Sequence, residues 1–141
     1  MISAPQPDAV EAGAEVLAAG GNAFDAALAC AAVQWIVDPH SCGIGGYLVM
    51  TYSRADADGV QPILDAPAVA GSKTSPGMWE DIVIGPNPRG WGFFLEGKVN
   101  EDGHQSVCVP GIGRGIKAIQ ERWCTRSLAE LWEPAINMAE K

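Results

Sequence analysis

A length of 141 residues and a mass of 14.8 kDa set the expectation of one compact domain with a single core. Hydrophobic residues make up 48% of the chain and charged residues 18%, which excludes disorder, and no apolar run reaches the roughly 20 residues of a membrane span. A formal charge of −8 offers no basic surface to phosphates and so excludes nucleic acid and anionic membranes as partners.

The opening stretch ISAPQPDAVEAG lacks the basic start, apolar middle and cleavage site of a secretory signal. Localisation therefore stays open between a cytoplasmic protein and one whose natural N-terminus lies upstream. Asp8 is the expected N-cap of a first helix, with Val10, Ala14 and Leu17 at helical spacing and Gly20-Gly21 as its stop. Asn22 and Asp25 then have the spacing of a capping box for a second helix, AFDAALACAAVQWIV, which is apolar on nearly every side and expected to be buried. Six alanines between Ala23 and Ala32 allow its neighbours to approach closely. Asp38-Pro39 ends it, because the residue before proline is pushed out of the helical region.

The next segment, HSCGIGGYLVMTY, joins a glycine stretch to a strand over Tyr47 to Tyr52 that reads as covered on both faces. RADADG is the expected turn and VQPILD the returning strand, with Pro62 marking an edge or bulge. Residues 66–90 read as mostly loop, with a helical turn near Trp79. GWGFFLEGKVNEDGHQSVCV reads as two strands around an Asp102-Gly103 turn, weakened at Gly97. Trp91, Phe93 and Phe94 are expected to pack in a core or an interface. Pro110-Gly111 opens a helix with an apolar stripe of Ile112, Ile116, Ile119 and Trp123, leaving Arg114, Lys117 and Arg122 toward water. Ser127 and Glu130 form a capping box before the last helix, which Pro134 is expected to break or kink.

Chemistry is sparse along this path. In a phosphate loop a strand precedes the glycines and a helix follows them; here the order is helix, glycines, strand, so the glycines read as unusual dihedrals or close backbone approach. Cys42 has His40 beside it in sequence, the residue types of a thiol nucleophile and its base. His104 beside Asp102 has the composition of an acid–base pair, against the plainer reading of a solvated turn histidine. Lys73 in GSKTS is a loop cation able to meet an anionic group, against the plainer reading of a solvated lysine. Cys30, Cys42, Cys108 and Cys124 form no C-x-x-C pair and have no histidines at zinc-ligand spacing, so neither a metal nor a cofactor is expected. Two disulfides are formally available, but Cys30 in its alanine-rich helix reads as a buried free thiol.

Four stretches, in order, resemble the opening part of the large subunit of γ-glutamyltransferases, a family of N-terminal-nucleophile hydrolases. They are APQPDAVEAGAEVLAAGGNAFDAALACAAVQWIVDPHSCGIGG, the pair YLVMTY and ILD, TSPGMW, and SVCVPGIGRGIKAIQERWCTRSLAELWEPAINMAEK. The resemblance covers nearly the whole chain. It implies an α+β fold, the N-terminal portion of a four-layer αββα sandwich, with residues 1–141 as a single partial domain.

It also implies glutathione-type γ-glutamyl transfer or hydrolysis, with no cofactor, through a threonine that autoproteolysis exposes at the start of the small subunit. That portion is absent here, so no catalytic residue is assigned; Thr51, Thr74 and Thr125 lie outside any segment similar to the processing site. The expected partners are the missing small-subunit portion of the same precursor and a small γ-glutamyl or other amide substrate. The family is often periplasmic, secreted or membrane-anchored. Its large subunit carries an arginine after the second strand that pairs with the substrate α-carboxylate. Here Pro67, or Val69 with a two-residue shift, occupies that position, no arginine occurs between Arg54 and Arg89, and Lys73 is the weak substitute. The glycine stretch is also shorter than is common in the family, with Tyr47 directly after Gly46. Two alternatives follow: an acylase of the same fold acting on another amide, and a non-catalytic binding or assembly protein that retains the scaffold.

Overall fold

The computed structural model describes residues 1–54 and 61–141. Of the expected RADADG turn only Arg54 lies within them. The chain divides into two compact units, Met1–Pro67 with Pro110–Lys141, and Ala68–Val109.

In the first unit, α1 runs Pro7–Ala18, α2 Ala23–Val37, β1 Leu48–Thr51, β2 Ile63–Ala66, α3 Ile112–Trp123 and α4 Leu128–Ala139. Helix α1 begins one residue before Asp8: Pro7 takes the first turn, where its missing N–H costs nothing, and Gln6 is the N-cap. Its buried face is also not the expected one. Ala9, Ala12 and Gly13 are buried, whereas Ala14 and Leu17 are exposed. Small residues win because α1 lies tight on α2; a Cβ at Gly13 would sit 3.1 Å from the Ala26 carbonyl oxygen. The helix ends in a Schellman motif, with Gly20 at φ 84° and Gly21 N–H donating to the Val16 carbonyl at 2.9 Å.

Helix α2 carries the predicted capping box. It contacts α1, α3 and α4, and so is the post around which the unit is built. One core joins Leu28 and Ala29 of α2 to Ile112, Ile116 and Ile119 of α3 and Leu131 of α4. A second joins Ala9 and Ala12 to Ala32, Val33 and Ala135. Helix α4 runs unbroken through Pro134, so of the expected break or kink the break does not occur. Proline removes one hydrogen bond there, while buried Leu131 and Ala135 on either side hold the backbone in register.

Strands β1 and β2 pair antiparallel, with Leu48 opposite Ala66 and Thr51 opposite Ile63. Leu48, Met50 and Leu64 pack against the helical core. The reverse face is bare: Val49 is 57% and Ile63 64% exposed, and Thr51 and Asp65 are exposed beside them. The strand expected to be covered on both faces is thus covered on one.

The second unit holds a 3₁₀ turn at Glu80–Ile82, β3 at Val83–Pro86, β4 at Phe93–Leu95 and a 3₁₀ turn at Glu96–Lys98. The helical turn near Trp79 is present. The expected hairpin around Asp102-Gly103 is not; β4 pairs with β3, a strand within the segment read as loop. Gly97, at φ 65°, turns the chain away after Leu95 and stops the strand. Val109 forms an isolated bridge with Val69 instead. Trp91 is 100% exposed and Phe93 and Phe94 are also exposed, so within this chain they form no core.

Candidate functional site

The most highly organised polar group in the first unit is Asp25, which is 0% exposed. Its carboxylate accepts from Asn22 N–H at 2.9 Å, Thr125 N–H at 2.9 Å, Thr125 Oγ1 at 2.5 Å and Arg126 N–H at 3.2 Å. Burial pushes its pKa up, but those donors outweigh burial and hold the carboxyl below its ordinary value. Asn22 completes the junction: Oδ1 accepts from Phe24 and Asp25 N–H, and Nδ2 donates to the Trp123 carbonyl at 2.7 Å. The Arg126 guanidinium donates to the Ala19 carbonyl at the end of α1. This network ties the α1–α2 corner to the α3–α4 corner. Burial, with the Asp25 charge and hydrogen bond added, pushes the Cys124 thiol up to about 12. The site is closed, and its chemistry is structural.

The end of β1 is pinned by aromatic contact. Tyr52 lies 4.6 Å from Trp123 and 5.8 Å, edge-on, from Phe24, while Phe24 stacks on Trp123 at 5.1 Å. No sequence spacing links these three rings. The glycine stretch is anchored by equally remote partners: the Gly46 carbonyl accepts from Gly111 and Ile112 N–H at 3.0 and 3.2 Å, capping α3 in place of a side chain. Gly111 is a true close approach, since a Cβ there would collide with the Ala66 and Pro67 carbonyls. Gly43, Gly45 and Gly46 are not: none has a positive φ and none has a heavy atom near a built Cβ. The expectation of unusual dihedrals or close approach therefore fails within this chain.

The nominated side chains do not assemble into a reactive centre. Cys42 Sγ donates to the Asp38 and Gln34 carbonyls at 3.3 and 3.5 Å, so its thiol caps the end of α2, while His40 is exposed. His104 and Lys73 are exposed, and neighbouring Gln105 accepts from the Trp79 indole at 3.1 Å. Pro67 follows β2, and Val69 holds the bridge to Val109 through bonds of 3.1 and 2.8 Å. Thr51 lies on the bare sheet face, Thr74 is exposed in the second unit, and the Thr125 hydroxyl is committed to Asp25. All four cysteines are free; Cys30 is half-buried, and burial pushes its pKa up. Among the described residues no three of His, Cys, Asp or Glu gather as a metal site.

What remains is a surface. The bare face of β1 and β2, with both sheet edges unpaired among the described residues, presents exposed Val49 and Ile63 beside Thr51 and Asp65. The sequence model of the family described as Gamma-glutamyltranspeptidase matches residues 9–141. The chain is 33% identical over 142 aligned positions to a glutathione hydrolase proenzyme of Bacillus subtilis (strain 168), an alignment covering 100% of this chain and 22% of that relative. It is 34% identical to an acylase ACY 1 proenzyme of Pseudomonas sp. (strain V22), again across 100% of this chain and 24% of the relative. A solved Helicobacter pylori gamma-glutamyltranspeptidase superposes with a TM-score of 0.79 at 31% identity, covering 97% of this chain and 36% of that one. This chain therefore spans less than a quarter of the length of these two curated relatives.

Proposed function

The chain belongs to the gamma-glutamyltranspeptidase family, as the N-terminal part of its large subunit, and from that premise we propose that it builds one share of a divided active-site scaffold. The complete assembly cleaves or transfers an acyl group from an amide through a hydroxyl nucleophile carried by another portion of the precursor. One observation carries the reading: one side of the β1–β2 sheet is packed by helices and the other is exposed, with Val49 and Ile63 as its apolar members. A four-layer sandwich requires a second sheet against that bare face, and residues 1–141 act as a partial domain awaiting it. The chain alone contributes no catalytic residue.

The test compares the purified 141-residue chain with the same chain co-expressed with the rest of its precursor, using a chromogenic γ-glutamyl anilide. The expected result is turnover only by the pair. Turnover by the chain alone, above a buffer blank, overturns the assignment.

A second reading, an acylase of the same fold acting on a different amide, is favoured by a specific departure. Pro67 or Val69 stands where the resemblance places a carboxylate-binding arginine, and neither carries a charge. Lys73 is an exposed loop cation and lacks the two-pronged guanidinium that fits a planar carboxylate. Rates of the co-expressed pair on γ-glutamyl amides and on acyl amides lacking the α-carboxylate separate the two readings. A preference for the second substrates establishes the acylase.

A further inference from the structure

The second unit contains a cavity of about 340 Å³ whose walls include Pro76, Trp79, Phe93 and Leu95, with Glu80 and Asn100 as its polar members. We propose that this cavity binds a primary ammonium group on a short aliphatic stem, the chemistry of a lysine side chain. The inference uses the second unit alone and does not depend on the proposed acyl chemistry.

Asn100 shows what the cavity lacks. Its Nδ2 donates to the Phe93 carbonyl at 3.1 Å, which fixes the amide orientation, since a flipped amide would set oxygen against oxygen. Its Oδ1 is shielded from solvent and has no donor among the described residues. A shielded acceptor without a donor is uncommon in a folded chain and marks a place for a donor to arrive. The neighbouring groups select a charged donor over a neutral one. Trp79 and Phe93 are aromatic residues of its wall, the residue type that attracts a cation, and Glu80 is an acidic side chain beside them. The Trp79 indole N–H is already committed to Gln105, which leaves the apolar part of Trp79 as its contribution. Pro76 and Leu95 suit the methylene stem. Across residues 68–109, Glu80, Asp81, Glu96, Glu101 and Asp102 outnumber Lys73, Arg89 and Lys98, so the local field favours a cation. Asn100 Oδ1 is covered, so the side chains over it must shift to admit the donor.

The experiment titrates the ¹⁵N-labelled 141-residue chain with Nα-acetyl-lysine methylamide and, separately, with Nα-acetyl-norleucine methylamide, which has a similar stem and no charge. The expected result is a saturable shift of the Trp79 indole and Asn100 side-chain amide signals by the lysine derivative, with the norleucine derivative at least about tenfold weaker. Glu80→Gln, a conservative change at an exposed position, is expected to weaken lysine binding by about tenfold without altering the rest of the spectrum. Equal affinity for both derivatives, no saturable shift at those two signals, or unchanged binding by Glu80→Gln overturns the proposal.

Discussion

The closed corner around Asp25 and the bare face of the β1–β2 sheet are parts of one unit, yet they answer to different constraints. At the corner, donors and acceptors meet within the chain: four hydrogen bonds converge on one carboxylate, and the facing helix carbonyls are taken by Asn22 and Arg126. On the sheet face, Val49 and Ile63 have the side chains of a buried strand and the exposure of a surface. Residue type is thus explained at the first place by contacts present, and at the second, on the proposed reading, by contacts still to be made.

The largest effect that separates the two regions comes from the corner. Asp25→Ala leaves the Asn22, Thr125 and Arg126 donors unmatched in a closed site and is expected to cost about 3 kcal/mol. Leu131→Ala, at a core position that is 1% exposed, belongs in the same range, about 3 kcal/mol. Urea unfolding of the isolated chain measures both. A loss under 1 kcal/mol for Asp25→Ala would show that the corner is wet or already loose.

Glycines give the next contrast. A methyl group at Gly111 collides with the Ala66 and Pro67 carbonyls, so Gly111→Ala is expected to destabilise by about 2 kcal/mol through backbone displacement. Gly45→Ala meets open space without a positive φ and is expected to change stability by less than about 0.5 kcal/mol in the chain alone. Equal losses at the two positions would mean that Gly45 is constrained from within the chain.

The capping boxes of α2 and α4, the proline-ended α2, the stripe of α3 and the β1–β2 pair were all legible, because each is set by residues within a few positions of one another. The α1 face was misread because Val10, Ala14 and Leu17 fit helical spacing, whereas close packing on α2 demanded the smaller Ala9, Ala12 and Gly13. The β3–β4 pairing was missed because Val83–Pro86 contains a glycine and a proline, and the Asp102-Gly103 turn signal drew β4 toward the wrong partner. The roles of Gly46 as the cap of α3, Thr125 as a ligand of Asp25, and Phe24, Tyr52 and Trp123 as one ring cluster depend on long-range contact. Local spacing carries no signal for them. The proposed site was legible only as a resemblance, since no spacing along the chain gathers a reactive centre.

Acid sharpens the comparison further, because the corner and the α4 cap hold carboxyls with lowered pKa values. Asp25 is depressed below its ordinary 3.8, and Glu130 below 4.5 by hydrogen bonds from Ser127. A carboxyl with a lowered folded pKa stabilises the fold above its unfolded value and loses that contribution as pH falls through the folded value. Stability is therefore expected to decline from near pH 4.5 downward, through both Glu130 and Asp25. Asp25→Asn removes one part of that decline, and Ser127→Ala the other. Unfolding free energies between pH 5 and pH 2 read both, and parallel curves for wild type and Asp25→Asn would detach Asp25 from the acid limb.

The smallest expected effect is the most pointed. Val49→Ser with Ile63→Ser removes two exposed apolar side chains that touch no core, so the isolated chain is expected to change by less than about 0.5 kcal/mol. Its self-association should fall, because the apolar patch that drives it is smaller. On the proposed assembly the same pair faces a second sheet, and losing that burial is expected to cost about 3 kcal/mol of assembly free energy for two side chains. Sedimentation of the isolated chain and the yield of co-purified complex measure the two halves of this contrast. A double variant that unfolds alone, or one that assembles as well as the parent, would place Val49 and Ile63 outside the joining surface and return the bare face to ordinary solvent.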